Sequence, residues 1–261
     1  MNPHSDKLVV TILGSGTCVP SLIRSSCSVL MRTGGNVLLF DSGAGTMRRL
    51  MEAGVEIYDV SIVFYSHFHP DHTGELASFL FSNKYPDGSR RKIPLTLAGG
   101  KGFWVFFENL KQIYGHWIEL DPGLLNIIEF DITHGDERRF SDFKVETLPM
   151  EHNPESIAFR ITGSNGTSVV YSGDTDFSDN LVTLSKNADV LICESALPDE
   201  LKVKGHLTPS LAGEIATRAN VRKLVLTHFY PECDRVDLKK ECRKTYAGSL
   251  VLAEDLMEIE M

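Results

Sequence analysis

The 261-residue sequence predicts an α/β fold, a single sheet-and-helix domain spanning residues 1–261. Three observations predict it. Short β-branched, apolar runs alternate with segments of helical periodicity. Four of those runs end at or just before a histidine or aspartate, and the C-terminal ends of strands are where α/β sheets build their sites. No linker, low-complexity tract or short-period repeat divides the chain. A composition that is 42% hydrophobic gives a chain of this length enough apolar side chains for a large core.

Residues 7–13, 28–31 and 36–41 are predicted strands, followed by a helix over 46–53. The run Ser61-Ile62-Val63-Phe64-Tyr65 is a buried strand that leads into Ser66-His67-Phe68-His69-Pro70-Asp71-His72-Thr73. Pro70 turns the chain, and Leu76, Phe79 and Leu80 at helical spacing predict a helix over 72–81. Residues 83–92 form a polar surface excursion before a strand at 94–98. A helix at 101–113 and strands at 126–133 and 143–148 come next. Within that helix the aromatic stretch 102–107 has the spacing of core packing. Residues 156–171 are a hairpin turning at Gly163-Ser164-Asn165-Gly166, and 188–193 is another buried strand. Thr208 caps, and Pro209 starts, a helix over 209–219. A strand at 223–227 follows, and 250–259 is a late strand or helix.

Four metal-competent side chains, His67, His69, Asp71 and His72, fall within six positions. If the extended conformation persists through His69, the two-residue period puts His67 and His69 on one side, able to grip one ion. Asp71 lies near a helix N-terminus, where a carboxylate is favoured, and with His72 can face a second ion. Further ligands must come from elsewhere. His152 follows the strand-like 144–150, Asp174 follows the buried 168–172 and a glycine turn, and His228 ends 223–227. Imidazole and carboxylate donors without thiolate suit two divalent ions, zinc first, with manganese or iron as alternatives.

The order His-x-His-x-Asp-His, then His152, Asp174 and His228, resembles the metallo-β-lactamase superfamily of metal-dependent hydrolases. The resemblance runs from Gly14-Ser15-Gly16-Thr17 through Phe40-Asp41-Ser42-Gly43-Ala44-Gly45 to Leu226-Thr227-His228-Phe229. It implies a four-layer αββα sandwich with a dinuclear metal site at one sheet edge. It further implies that His67, His69 and His152 hold one ion, that Asp71, His72 and His228 hold the other, and that Asp174 bridges them. Asp41 is then the residue that orients the histidine loop. Within the superfamily, Glu194-Ser195-Ala196, Gly205-His206-Leu207-Thr208 and the early loop with Pro20 and Arg24 are similar to the ribonuclease Z branch. That likeness makes His206 the proton donor and implies a possible homodimer.

Composition limits the function. Twenty-six Lys and Arg against 35 Asp and Glu give a net charge of −9, unlike the basic field of most nucleic-acid binders. The hairpin between His152 and Asp174 also lacks the long basic arm that many ribonuclease Z proteins use to grip tRNA. Arg90, Arg91, Lys92, Arg138 and Arg139 are expected to be solvated loop charge rather than phosphate contacts. Five cysteines without Cys-x-x-Cys predict a reduced compartment. With no signal peptide or spanning segment in sight, a cytoplasmic location and no membrane partner are expected. The expected chemistry is hydrolysis of a small phosphodiester or RNA by a metal-bridging hydroxide. Asp71 would accept a hydrogen bond from the nucleophile and His206 would protonate the leaving oxygen. Another ester class (carboxylic ester or thioester, sulfate ester, lactam) and tRNA 3′-processing are the alternatives.

Overall fold

Two seven-stranded sheets face one another in the computed structural model, which describes residues 8–85, 91–259 and 261. The first half of the chain runs β1 (Val9–Gly14), β2 (Ser28–Thr33), β3 (Asn36–Phe40), α1 (Thr46–Glu52), β4 (Ile62–Tyr65), α2 (Pro70–Thr73), α3 (Leu76–Lys84), β5 (Leu95–Gly100), α4 (Phe103–Tyr114) and β6 (Leu125–Phe130). The second half runs β7 (Asp136–Arg139), β8 (Phe143–Pro149), β9 (Ile157–Gly163), β10 (Ser168–Tyr171), α5 (Asp179–Leu184), β11 (Val190–Glu194), α6 (Pro209–Arg218), β12 (Lys223–Thr227), α7 (Leu238–Cys242), β13 (Ser249–Leu252) and β14 (Met257–Ile259). The first sheet has the order β14-β1-β2-β3-β4-β5-β6, and the second β13-β12-β11-β10-β9-β8-β7.

Strands apolar on both faces explain the layering. Leu38, Phe40, Ile62 and Phe64 point between the sheets, while their neighbours Leu39, Val63 and Tyr65 point outward into a core closed by Leu50, Phe79, Leu80, Phe103 and Phe107 of the helices. Between the sheets Phe40 stacks on Phe64 at 4.9 Å and meets the edge of Phe159 from the second sheet at 5.6 Å. Each such aromatic pair contributes about 1 kcal/mol beyond the area it buries. The four layers are helix, sheet, sheet, helix.

Topology brings the functional strand ends together. Strands β3, β4, β5 and β6 are parallel, as are β10, β11, β12 and β13. Two antiparallel steps through β9 make β8 run with β10. The loops after β3, β4, β8, β10, β11 and β12 therefore leave at one edge of the sandwich. They also pack closely there: a Cβ on Gly173 would lie 2.5 Å from Ser66 Cβ, and its φ of 57° is one that glycine adopts freely.

Several expectations need correction. The helix expected over 72–81 is two helices, because Glu75 breaks it. Its carboxylate accepts hydrogen bonds at 2.7 Å from the N–H groups of Gly45 and Met47, at the N-terminus of α1. The late segment is two strands in different sheets, β13 and β14. Asp255 pins the turn between them by accepting from Ser15, Ser25 and Arg49. Arg91 is not a solvated charge but is 1% exposed, donating to Asn83 Oδ1 and to the carbonyls of Ile57, Val60, Ile93 and Pro94. Arg138 and Arg139 sit on the edge strand β7, paired with Asp136 and Glu137. In the aromatic stretch, Phe103 and Phe107 are buried while Trp104 is half exposed. The expected strand start at Lys7, loop residues 86–90 and the expected role of Arg90 lie outside the described residues. All five cysteines are unpaired, and among the described residues no helix is long and apolar enough to cross a membrane.

Candidate metal centre

Seven side chains meet at the shared strand edge in two interlocked groups. His67, His69, His152 and Asp174 offer ligand atoms within 4.8 Å of one another, and so do Asp71, His72 and His228. Asp174 stands between them. Its Oδ2 lies 3.7 Å from His67 Nε2 and 3.9 Å from His152 Nε2. Its Oδ1 lies 3.3 Å from His72 Nε2 and 3.4 Å from His228 Nε2. Asp71 Oδ2 is 3.7 Å from His228 Nε2, and His69 Nδ1 is 3.3 Å from His152 Nε2. Ligands about 2.1 Å from a tetrahedral ion are roughly 3.4 Å apart. The two groups therefore have the spacing of coordination shells that share one carboxylate.

Local backbone explains how each ligand is presented. After β4, Ser66 N–H donates to Asp41 Oδ1 at 2.8 Å, which fixes the start of the histidine loop. His69 stays extended at φ −61°, ψ 148° before Pro70 begins the short helix carrying Asp71 and His72. Asp41 and His228 hold left-handed backbone, at φ 56° and 61°, a conformation that costs non-glycine residues energy and concentrates at functional positions.

The far side of each ring is also held. His72 Nδ1 donates to Asp41 Oδ2 at 2.7 Å, and His152 Nδ1 donates to the Gly205 carbonyl at 2.8 Å. Both rings then turn Nε2 inward, the atom a metal would take. Ser66 Oγ donates to Asp41 Oδ2 at 2.8 Å and lies 3.0 Å from His67 Nδ1. Tyr171 Oη, from the opposite sheet, donates to the same Asp41 oxygen at 2.6 Å. His69 Nε2 meets the Asn153 amide at 3.0 Å.

Some polar atoms of the cage are not satisfied by protein. His67 Nε2 and Asp174 Oδ1 are buried without a hydrogen-bond partner, a state that costs free energy unless an ion or ligand meets them. Burial, with the charge of His72, holds His67 well below its usual pKa. Burial pushes Asp174 up, but His228 and His72 outweigh it and keep the carboxylate well below its usual range. A buried, ionised carboxylate among inward-facing imidazole nitrogens fits a pair of divalent cations.

His206 borders the cage without belonging to its first two groups. Its Nδ1 is 3.0 Å from Glu194 Oε1 and 3.9 Å from Asp174 Oδ2. Burial lowers its pKa, yet the Glu194 carboxylate and then Asp174 lift it to about 9. Glu194 is 1% exposed and also accepts from the N–H groups of Thr175, Ala196 and Leu207.

Ser66 and Tyr171 are residues whose roles sequence reasoning missed, and Glu194 was singled out only as part of a motif, without its link to His206. An acid ending the apolar run Val190-Leu191-Ile192-Cys193 was a second signal for Glu194, beside that motif. On the N-terminal loop, Arg24 pairs with Asp234 at 2.6 Å and covers the Phe229 ring. Cys18 Sγ lies 3.5 Å from the hydroxyl of Tyr230, whose ring borders His228.

Known proteins share this architecture. A family described as "Anti-Pycsar protein Apyc1" matches residues 8–246. Ribonuclease Z of Archaeoglobus fulgidus is 26% identical over 307 residues, covering 97% of this chain and 97% of that protein. The metallo-β-lactamase fold protein YhfI from Bacillus subtilis superposes with a TM-score of 0.82 at 25% identity, covering 97% and 99% of the two chains. The short form of human tRNase Z gives 0.79 at 25% identity, covering 97% and 98%. The chain has the metallo-β-lactamase fold, and its histidine and aspartate clusters are consistent with a dinuclear metal site.

Proposed function

Because this chain belongs to the anti-Pycsar protein Apyc1 family, we propose that its metal-dependent hydrolase chemistry acts on the phosphodiester of a cyclic nucleotide. The division of Asp174 between two ligand groups carries the reading, since paired cations suit a doubly oxygenated phosphoryl centre best. His67, His69 and His152 would hold one ion and Asp71, His72 and His228 the other, with Asp174 available to both; zinc is the first choice and manganese or iron the alternatives. When bound, such cations lower the pKa of water and neutralise charge on the phosphoryl oxygens.

The chain's own groups complete the reaction. Asp71 accepts a hydrogen bond from the attacking water and aims it at phosphorus. As the ring P–O bond breaks, the departing ribose oxygen takes a proton from His206 Nε2, which Glu194 keeps charged by holding Nδ1. Water is consumed, one P–O bond forms as another breaks, and a linear nucleotide leaves.

A precursor tRNA is the second reading, favoured by the full-length likeness to ribonuclease Z. A net charge of −9 and a hairpin of only β9 and β10 between His152 and Asp174 weigh against it. Pairing with a second copy through the exposed Trp104, Val105, Ile113 and Trp117 is the matching expectation for assembly, read by analytical ultracentrifugation.

The test is a substrate panel on zinc- or manganese-loaded protein: 3′,5′-cyclic nucleotides, bis(p-nitrophenyl) phosphate, a precursor tRNA with a 3′ trailer, and acyl, thio- and sulfate esters. Turnover of cyclic nucleotides and the generic diester is expected. Turnover confined to acyl or sulfuryl esters would refute the reading.

A further inference from the structure

A cavity of about 970 Å³ opens beside the metal centre and shares His152 and Gly205 with it. Its size lies at the upper end of the roughly 300–1,000 Å³ usual for small-molecule sites. Nothing in the hydrolytic scheme so far uses it. Its walls nevertheless have the chemistry of a nucleoside site. Phe177 supplies a half-buried ring, braced by the Arg218 guanidinium 5.3 Å from its centroid. Asn180 donates through Nδ2 to the Pro149 carbonyl, which fixes the amide and leaves Oδ1 to accept. Lys204 is exposed on the wall and pairs with no carboxylate among the described residues. Glu151, Asp176 and Asp179 also line the wall; Asp176 pairs with Lys202 and Asp179 with Arg218, which leaves Lys204, among the described residues, as the ammonium free to meet an anionic substrate.

We propose that this cavity is the nucleoside subsite of the hydrolase. With the phosphate on the cage, the ribose and base pass His152, the base lies against Phe177 with its polar edge toward Asn180 Oδ1, and Lys204 meets the ribose–phosphate side. The inference rests on the cyclic-nucleotide reading and adds where the nucleoside goes and which residues discriminate it.

Phe177→Ala and Lys204→Ala, each in metal-loaded full-length protein, test it. The quantity to read is the ratio of kcat/KM on a 3′,5′-cyclic nucleotide to kcat/KM on bis(p-nitrophenyl) phosphate, which has no nucleoside. Base stacking on an aromatic ring is worth on the order of tenfold or more. The ratio should fall about tenfold in Phe177→Ala and about threefold in Lys204→Ala, through KM. Calorimetry with a slowly cleaved cyclic phosphorothioate should show the same weakening, and elemental analysis an unchanged metal content. Lys204 is a surface residue, so its variant keeps the test informative if Phe177→Ala folds poorly. An unchanged ratio in both variants, while the wild type cleaves cyclic nucleotides, overturns the subsite alone. A wild type that cleaves the generic diester and no cyclic nucleotide overturns the functional reading and the subsite with it.

Discussion

Replacing Glu194 by glutamine isolates the proton donor from the metal cage. Glu194 touches His206 Nδ1 at 3.0 Å and three backbone N–H groups, and it is the leading cause that lifts His206 to about 9 against burial. Glutamine keeps the volume and loses the charge. Without the carboxylate, His206 loses its largest raising influence and keeps only that of Asp174, so the alkaline limb of kcat should move to lower pH. At pH 8 a donor near 9 is about nine-tenths protonated, and the smaller protonated fraction in the variant should lower kcat by roughly severalfold. Bound cations pull both limbs lower, but the displacement between wild type and variant survives. Stability follows the same linkage. A raised histidine pKa contributes fully below 6.5 and is lost as pH rises through about 9, so the variant's deficit is largest below 6.5 and gone above 9. The assay is a pH–rate profile on a 3′,5′-cyclic nucleotide, whose alkoxide leaving group needs the proton, with metal content measured in parallel. An alkaline limb that stays in place at full metal loading would refute the role of His206.

Three further outcomes are expected. Stripping metal with a chelator should lower Tm by about 5 °C or more, because ions that bind only the folded cage at 100 times their Kd stabilise by about 2.7 kcal/mol; an unchanged melting curve would count against a filled cage. Tyr171→Phe removes one of the donors on the buried Asp41 carboxylate and should cost about 1–3 kcal/mol in urea unfolding. Arg91→Leu leaves the carbonyls of Ile57, Val60, Ile93 and Pro94 without their shared donor and should cost about 2–4 kcal/mol, with no change in metal content.

What the sequence disclosed follows the range of the interactions. The histidine loop was legible because four donors sit within six residues, and β4 because its four-residue apolar run dominates its window. His152, Asp174 and His228 each end or follow an apolar strand, so the shared strand polarity made them visible as a set. Residues whose meaning depends on distant partners were not legible. Glu75 belongs to a helical pattern until its carboxylate is seen on α1, and Asp255 is an ordinary turn residue until Ser15, Ser25 and Arg49 are seen converging on it. Tyr171 carries the signal of a buried strand and none of its link to Asp41 across the sheets. Asp136–Arg139 escaped because an exposed edge strand carries no apolar alternation. Arg91 misled for the opposite reason, since a charged side chain in a polar stretch gives no hint that backbone carbonyls will bury it.

Anomalous diffraction from crystals grown with zinc, collected on both sides of its absorption edge, tests the central claim most directly. The account predicts two peaks about 3.5–4 Å apart, one within the His67, His69 and His152 group, the other within Asp71, His72 and His228, with Asp174 touching both. A single peak, or peaks away from Asp174, would contradict it.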